Sequence, residues 1–241
     1  LFTNFILVYV LFTHNLTPAQ LMAITGIMIG ARVFDALNDP LMGNIIERTR
    51  TRWGKHKPWL VIGILSTSVV VYLAFNVRLE GWAFIWFFGI IYFAYSIAYT
   101  MHDISYWGMI PSLSKEGSTR DKLTAMTNLA AGIGGGLAGL FIPMLTTGSG
   151  AIGGNAQTAY GVVALIFCIL APLFLCFTIF GVREDRSYMD TTPPPVSFKK
   201  IVSTIANNDQ LSWMCLIFLF HQIGADLIIG GIGSTYIYFT Y

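Results

Sequence analysis

Asp35 and Asp39 lie one helical turn apart in the segment Arg32-Val-Phe-Asp-Ala-Leu-Asn-Asp-Pro40, inside a stretch otherwise as apolar as a membrane span. At 3.6 residues per turn, Asp35, Asn38 and Asp39 fall within roughly 100° of one helix face, with Arg32 a turn earlier on the same side. Two like charges there repel in a low dielectric, so the pair requires a proton, a counter-charge or a bound cation. The plainer alternative is that Arg32 neutralises Asp35 and the remaining polar groups cap a helix interruption ahead of Pro40. A third acid, Asp103, stands without a second acid in its own apolar run. Thr100, Asp103 and Trp107 are spaced i, i+3 and i+7 and so share one helix face.

Composition names the solvent around these groups. The 241 residues are 55% hydrophobic, 15% aromatic and only 11% charged, and mean hydropathy is +0.65. A soluble domain carries about a quarter charged residues, so this reads as an all-α polytopic membrane protein. A net charge of +2, with no Arg-rich tract among aromatics, excludes nucleic acid as a partner. Cys168, Cys176 and Cys215 sit in apolar runs without CxxC spacing, which predicts core packing, not redox or metal chemistry.

With about 20 apolar residues needed per crossing, the chain reads as an apolar stub at 1–13 followed by spans near 19–46, 58–77, 82–112, 123–147, 157–182 and 210–241. It starts without Met inside an apolar run and stops at Tyr241 without a tail, as a fragment of a longer protein would. Residues 1–13 lack the basic flank and cleavage site of a signal peptide. Basic residues fall in alternate connections: Arg48, Arg50, Arg52, Lys55 and Lys57; then Lys115, Arg120 and Lys122; then Arg183, Arg186, Lys199 and Lys200. Only Arg78 lies in an intervening connection, so the basic side is predicted to be cytoplasmic. Segment 183–209, with Asp190-Thr-Thr-Pro-Pro-Pro195, reads as a polar linker between two bundles. The expected organisation is therefore an N-terminal bundle at 1–182, a cytoplasmic linker at 183–209 and the first helix of a second bundle at 210–241, as in a transporter of two parallel repeats.

The loop Gly43-Asn-Ile-Ile-Glu-Arg-Thr-Arg-Thr-Arg-Trp-Gly-Lys-His-Lys57 resembles the Gly- and Arg-rich loop between helices two and three of the major facilitator superfamily. Together with Arg32-Val-Phe-Asp-Ala-Leu-Asn-Asp-Pro-Leu-Met-Gly43 and Arg52-Trp-Gly-Lys-His-Lys-Pro-Trp59, it resembles the signature of the glycoside-pentoside-hexuronide:cation symporters. Tyr99-Thr-Met-His-Asp-Ile-Ser-Tyr-Trp-Gly-Met-Ile-Pro111 is similar to that family's fourth helix, and Asn208-Asp-Gln-Leu-Ser212 to the entry of its seventh. The resemblance implies a major facilitator fold, with a six-helix N-terminal bundle whose first helix is truncated. It implies a cation-coupled symporter in a bacterial inner membrane, not an enzyme, with no cofactor and with a sugar, a coupling cation and the lipid bilayer as partners.

Carried over by position, Asp35, Asn38, Asp39 and Thr100 match the residues that hold Na⁺, Li⁺ or H⁺ in the family. Two carboxylates, an amide carbonyl and a hydroxyl are oxygen ligands suited to a hard alkali cation. Asp103 and Trp107 match sugar-contacting positions, with Tyr99 beside them. A carboxylate for sugar hydroxyls next to an indole for the ring's apolar face is a sound way to bind a sugar. Asn128 stands on the fifth span where a family member has an arginine near the sugar, which leaves the sugar class open. Arg32, Arg50, Arg52 and Lys55 are expected to form a charge network, with the loop from Arg48 to Lys57 latching the cytoplasmic gate.

Several other features are weighed against these. His102 follows Met101 and precedes Asp103 but points about 100° from it on a helix, which implies no relay. His221 and Asp226 on the last span are candidates for a central cavity. Gly132-Ile-Gly-Gly-Gly-Leu-Ala-Gly139 lacks the strand and Lys of a phosphate loop and is expected to allow close helix packing. An intramembrane aspartyl protease also needs two acids, but the Gly-x-Gly-Asp and Tyr-Asp elements are missing around Asp39, Asp103 and Asp226. Cation-coupled lysophospholipid symport is the closer rival, because those symporters share the cation motif.

Overall fold

The computed structural model describes residues 2–184, 198–225 and 227–228. The chain divides into two compact units, Leu11–Pro193 and Leu1–Val10 with Pro194–Tyr241. Asp226, the Asp190 to Pro195 stretch and the end of the seventh predicted span lie outside the described residues.

The described residues form helices joined by short loops. In chain order the helices are α1 Phe2–Thr13, α2 Pro18–Arg48, α3 Lys57–Asn76, α4 Gly81–Leu113, α5 Gly117–Thr146, α6 Ala156–Gly181, α7 Phe198–Ala206 and α8 Asp209–Ala225. Five of them, α2 to α6, are long and apolar enough to cross a membrane. Hydropathy locates them because a bilayer leaves no water for backbone groups, so each crossing must satisfy them within a helix. The chain is an integral, multi-pass membrane protein. Residues Phe198–Ala206, inside the predicted linker, form a short helix of their own.

Local chemistry sets the ends. At α2, Thr17 accepts from the Gln20 N–H while the Gln20 side chain accepts from the Thr17 N–H, and Pro18 opens the first turn. Asn155 caps α6 through the Thr158 N–H at 2.7 Å. The α5 helix starts at Gly117, earlier than its hydropathy indicates, where Glu116 accepts from the Ser118 and Thr119 hydroxyls. Those two bonds hold the Glu116 carboxyl below its ordinary pKa.

Within Leu11–Pro193, α4 packs on α2 and on α3, and α3 packs on α6. Glycine permits the closest approaches: a Cβ on Gly63 of α3 would lie 2.6 Å from the backbone nitrogen of His102 on α4. Leu60, Met109 and Leu175 form a core where α3, α4 and α6 meet, flanked by Ile64, Tyr106 and Ile179. Outward faces carry Phe180, Trp86 and Met22, each more than three-quarters exposed, as a surface solvated by lipid allows.

Two expectations are corrected here. A Cβ added at Gly132, Gly134, Gly135, Gly136 or Gly139 meets nothing within 4 Å, so this glycine run does not mediate close packing among the described residues. Cys168 is half-buried, with its thiol 3.0 Å from the Ser68 carbonyl. Cys176 and Cys215 are exposed on their helices, so core packing does not describe them; hydropathy cannot tell a core-facing from a lipid-facing position in a span.

Candidate cation and sugar site

Two carboxylates on α2 meet two hydroxyls on α4. Asp39 Oδ1 accepts from the Thr100 hydroxyl at 3.0 Å, and Asp35 Oδ1 accepts from the Ser96 hydroxyl. Both pairs are spaced i, i+4, so the two helices run with matching turns in register. Ser96 and Thr100 are buried, Asp35 is half-buried and Asp39 is exposed. Asn38 is buried, and its Nδ2 has no hydrogen-bond partner among the described residues. A buried amide in that condition stands ready to rearrange around a ligand.

Pro40 does not interrupt α2, which continues unbroken to Arg48. The proline has no N–H to give the Ala36 carbonyl one turn back, and Asn44 Nδ2 donates to the Pro40 carbonyl at 2.9 Å. The helix break required by the plainer reading is therefore absent. Its other half is present: Arg32 Nη1 lies 3.8 Å from Asp35 Oδ2. The Arg32 side chain is 65% exposed, so a solvated guanidinium offsets part of the Asp35 charge without removing the pair from solvent.

Asp103 lies one turn beyond Thr100 on α4, and its charge acts on Asp39 together with that of Asp35. Tyr99 lies one turn before Asp103 on the same helix. Tyr99 stacks on Tyr95, with ring centroids 5.5 Å apart. Trp107 is partly exposed and meets Tyr106 edge-on at 5.6 Å. His102 stacks on Tyr106 at 6.0 Å. Asn128 is exposed on α5, and His221 is exposed on α8.

The loop between α2 and α3 is a built turn. Gly54 N–H donates to the Thr51 carbonyl at 3.1 Å, and the Thr51 hydroxyl donates to the Gly54 carbonyl at 2.6 Å. Arg50 donates to the carbonyls of Glu47 and Thr49, and Lys55 pairs with Glu47 at 2.7 Å. Arg52 is exposed. Lys55 is thus committed to the last turn of α2.

Sequence reasoning missed Ser96, Glu184 and Lys57. A lone serine in an apolar span is unremarkable, and the available signal was its i, i+4 spacing to Thr100, which mirrors Asp35 and Asp39. Glu184 lies in the polar linker, and the basic run marks Lys57 as a topology charge and a member of the latch loop without showing that it reaches the end of α6.

The profile of the MFS/sugar transport protein family matches residues 1–240. The lactose permease of Lactobacillus helveticus is 30% identical over 220 residues, covering 86% of this chain and 34% of that protein. The raffinose carrier protein of Pediococcus pentosaceus is 30% identical over 228 residues, covering 90% of this chain and 35% of that protein. The isoprimeverose transporter of Lactiplantibacillus pentosus is 25% identical over 217 residues, covering 88% and 44%. The chain thus spans between a third and a half of the length of these relatives.

Proposed function

As the chain belongs to the MFS/sugar transport protein family and, within it, to the glycoside-pentoside-hexuronide:cation symporters, we propose that it forms part of a secondary active transporter that couples Na⁺, Li⁺ or H⁺ to the uptake of a sugar or glycoside by alternating access. The family is one of transporters, not enzymes. The observation that carries the proposal is the double hydroxyl–carboxylate pairing, Ser96 on Asp35 and Thr100 on Asp39, which unites α2 and α4 at a group of acids.

In this reading the coupling cation is a co-substrate held by Asp35, Asn38, Asp39 and Thr100. Its charge offsets the repulsion between the two acids, and a hydroxyl that now donates to a carboxylate can turn a lone pair toward the ion. Asp103 accepts sugar hydroxyls, with Tyr99, Trp107 and Asn128 as its further sugar contacts. Because the Asp103 charge reaches Asp39, a cation bound at Asp39 changes the field in which sugar binds. The same coupling free energy then raises cation affinity when sugar is present. The membrane is a bacterial inner membrane with the basic loops in the cytoplasm.

The test is substrate binding by the purified protein in Na⁺, Li⁺ or a non-coupling cation, comparing lactose, raffinose and lysophosphatidylcholine. Sugar binding strengthened by one of the two ions is the expected result. Cation-dependent binding of the lysophospholipid alone would establish the rival substrate class, and binding independent of Na⁺, Li⁺ and pH alike would remove the coupling role from the α2 acids.

A further inference from the structure

At the basic-loop end of the Leu11–Pro193 unit, two helix termini cap each other through opposite charges. Glu184, just beyond α6, turns its carboxylate onto the first turn of α3. Its Oε2 accepts from the backbone N–H of Lys55 at 3.0 Å and of His56 at 3.3 Å, and its Oε1 accepts from the N–H of Lys57 at 3.0 Å. Lys57, at the start of α3, sends Nζ the other way, donating to the Ile179 carbonyl at 2.8 Å and the Val182 carbonyl at 2.5 Å. The anion meets the positive end of α3 and the cation the negative end of α6, so terminal groups that lack intrahelical partners are filled from the neighbouring helix.

The surroundings are shaped for this contact. Lys57 is 9% exposed, a burial that an ammonium tolerates only with good acceptors. Gly54 has φ +110°, and a Cβ there would come within 2.5 Å of the Glu184 carboxylate. Side chains are therefore excluded at Gly54 both by the backbone conformation and by the acid. The Leu60, Met109 and Leu175 core lies where α3 and α6 meet α4.

Resting on the transport reading above, we propose that Glu184 and Lys57 are positioning residues of the gate loop: they join the ends of α3 and α6 and hold residues 49–57 in their turn, so that the loop moves with α6 as one body during transport. The chemistry is local to the loop. Neither residue belongs to the cation or sugar site, so their loss should slow the conformational step without changing ligand affinity.

A spin label at Trp53→Cys, in a background with Cys168, Cys176 and Cys215 replaced by serine, reports the order of the turn. In Glu184→Gln the label should become mobile and the maximal uptake rate should fall by about tenfold, the equivalent of one charge-assisted hydrogen bond. Sugar affinity should stay within about twofold of the parent. Lys57→Met is the second variant, breaking the reverse half of the clasp, and should move both readouts in the same direction. An unchanged label spectrum in both variants, or uptake unaffected by a mobilised turn, overturns the proposal. So does a parallel loss of sugar affinity and uptake, which marks a purely structural role. If the parent protein bound no sugar at all, the transport reading would fall, while label mobility would still report whether the clasp exists.

Discussion

The Thr100 hydroxyl on α4 donates to the Asp39 carboxylate on α2 at 3.0 Å, joining residues 61 positions apart in the chain. One turn away Ser96 does the same for Asp35. The acids that look isolated along α2 are each met by a hydroxyl, and neither helix could place its partner alone. Thr100→Val keeps the shape and removes the hydroxyl. Cation affinity should fall by about tenfold, the worth of one hydrogen bond to a charged group, while cation-independent sugar binding persists. Titrating Na⁺ against sugar binding in the purified variant measures both.

Asp39→Asn removes one of the two charges for which a bound ion is the compensation. Gradient-driven accumulation should disappear, leaving sugar exchange across proteoliposomes in which both sides hold substrate. Accumulation at the parental level under a sodium gradient would take Asp39 out of the coupling site.

Part of this arrangement is written in the chain. The ends of α2, α3, α4 and α6 fall within about two residues of the apolar runs, because crossing a bilayer demands a run of fixed length. Asp35 and Asp39 stand out because charge in such a run is costly. Ser96 does not, since a hydroxyl in a span can satisfy itself on its own backbone, and only the docking of α4 on α2 shows where it points. The start of α5 at Gly117 was missed because Glu116 and its hydroxyl partners, which begin the helix, are polar. Glu184 is the strongest case: an acid in a polar segment carries no sequence signal, and its role exists only once α6 ends beside α3.

The α3–α4 contact predicts a steric defect. In Gly63→Ala the new Cβ would lie 2.6 Å from the His102 backbone nitrogen, and backbone in mid-helix cannot step aside as a side chain can. Overpacking of this kind costs about 1–3 kcal/mol. The apparent melting temperature in detergent should drop clearly, whereas Gly132→Ala, with nothing within 4 Å of its Cβ, should leave it unchanged or raised.

His56 gives a pH dependence. The ring is 3% exposed, and neither nitrogen has a partner among the described residues. Gly108 lies against it; a Cβ there would come 2.7 Å from Cε1. Burial lowers the imidazole pKa and the nearby Lys55 cation adds to this, while Glu184 and Glu47 act in the opposite sense. On acidification the unfolded chain takes up the proton first, at about pH 6.5, so the native state loses stability as pH falls from there toward the lowered value. Thermal melting between about pH 7.5 and 5 should show a smaller acid-side decline in His56→Asn than in the parent. Parallel curves would mean that burial does not shift the His56 pKa on folding.

The division of labour between Asp103 and the α2 acids is the most exposed claim. Asp103 has no second acid in its own helix, and its two carboxylate oxygens can accept two sugar hydroxyls. Charge-assisted bonds of that kind are worth about 1.5–3 kcal/mol each. Asp103→Asn should therefore weaken sugar binding on the order of a hundredfold. Sodium binding to the sugar-free protein should survive, because the oxygens of Asp35, Asn38, Asp39 and Thr100 are untouched. Removing the Asp103 charge also lessens the negative field at Asp39, so a modest drop in sodium affinity, within about threefold, fits the same picture. Calorimetric titration of the variant with Na⁺ and then with sugar separates the two effects. A lost sodium signal with sugar affinity retained would place Asp103 in the cation site and leave the sugar to other groups.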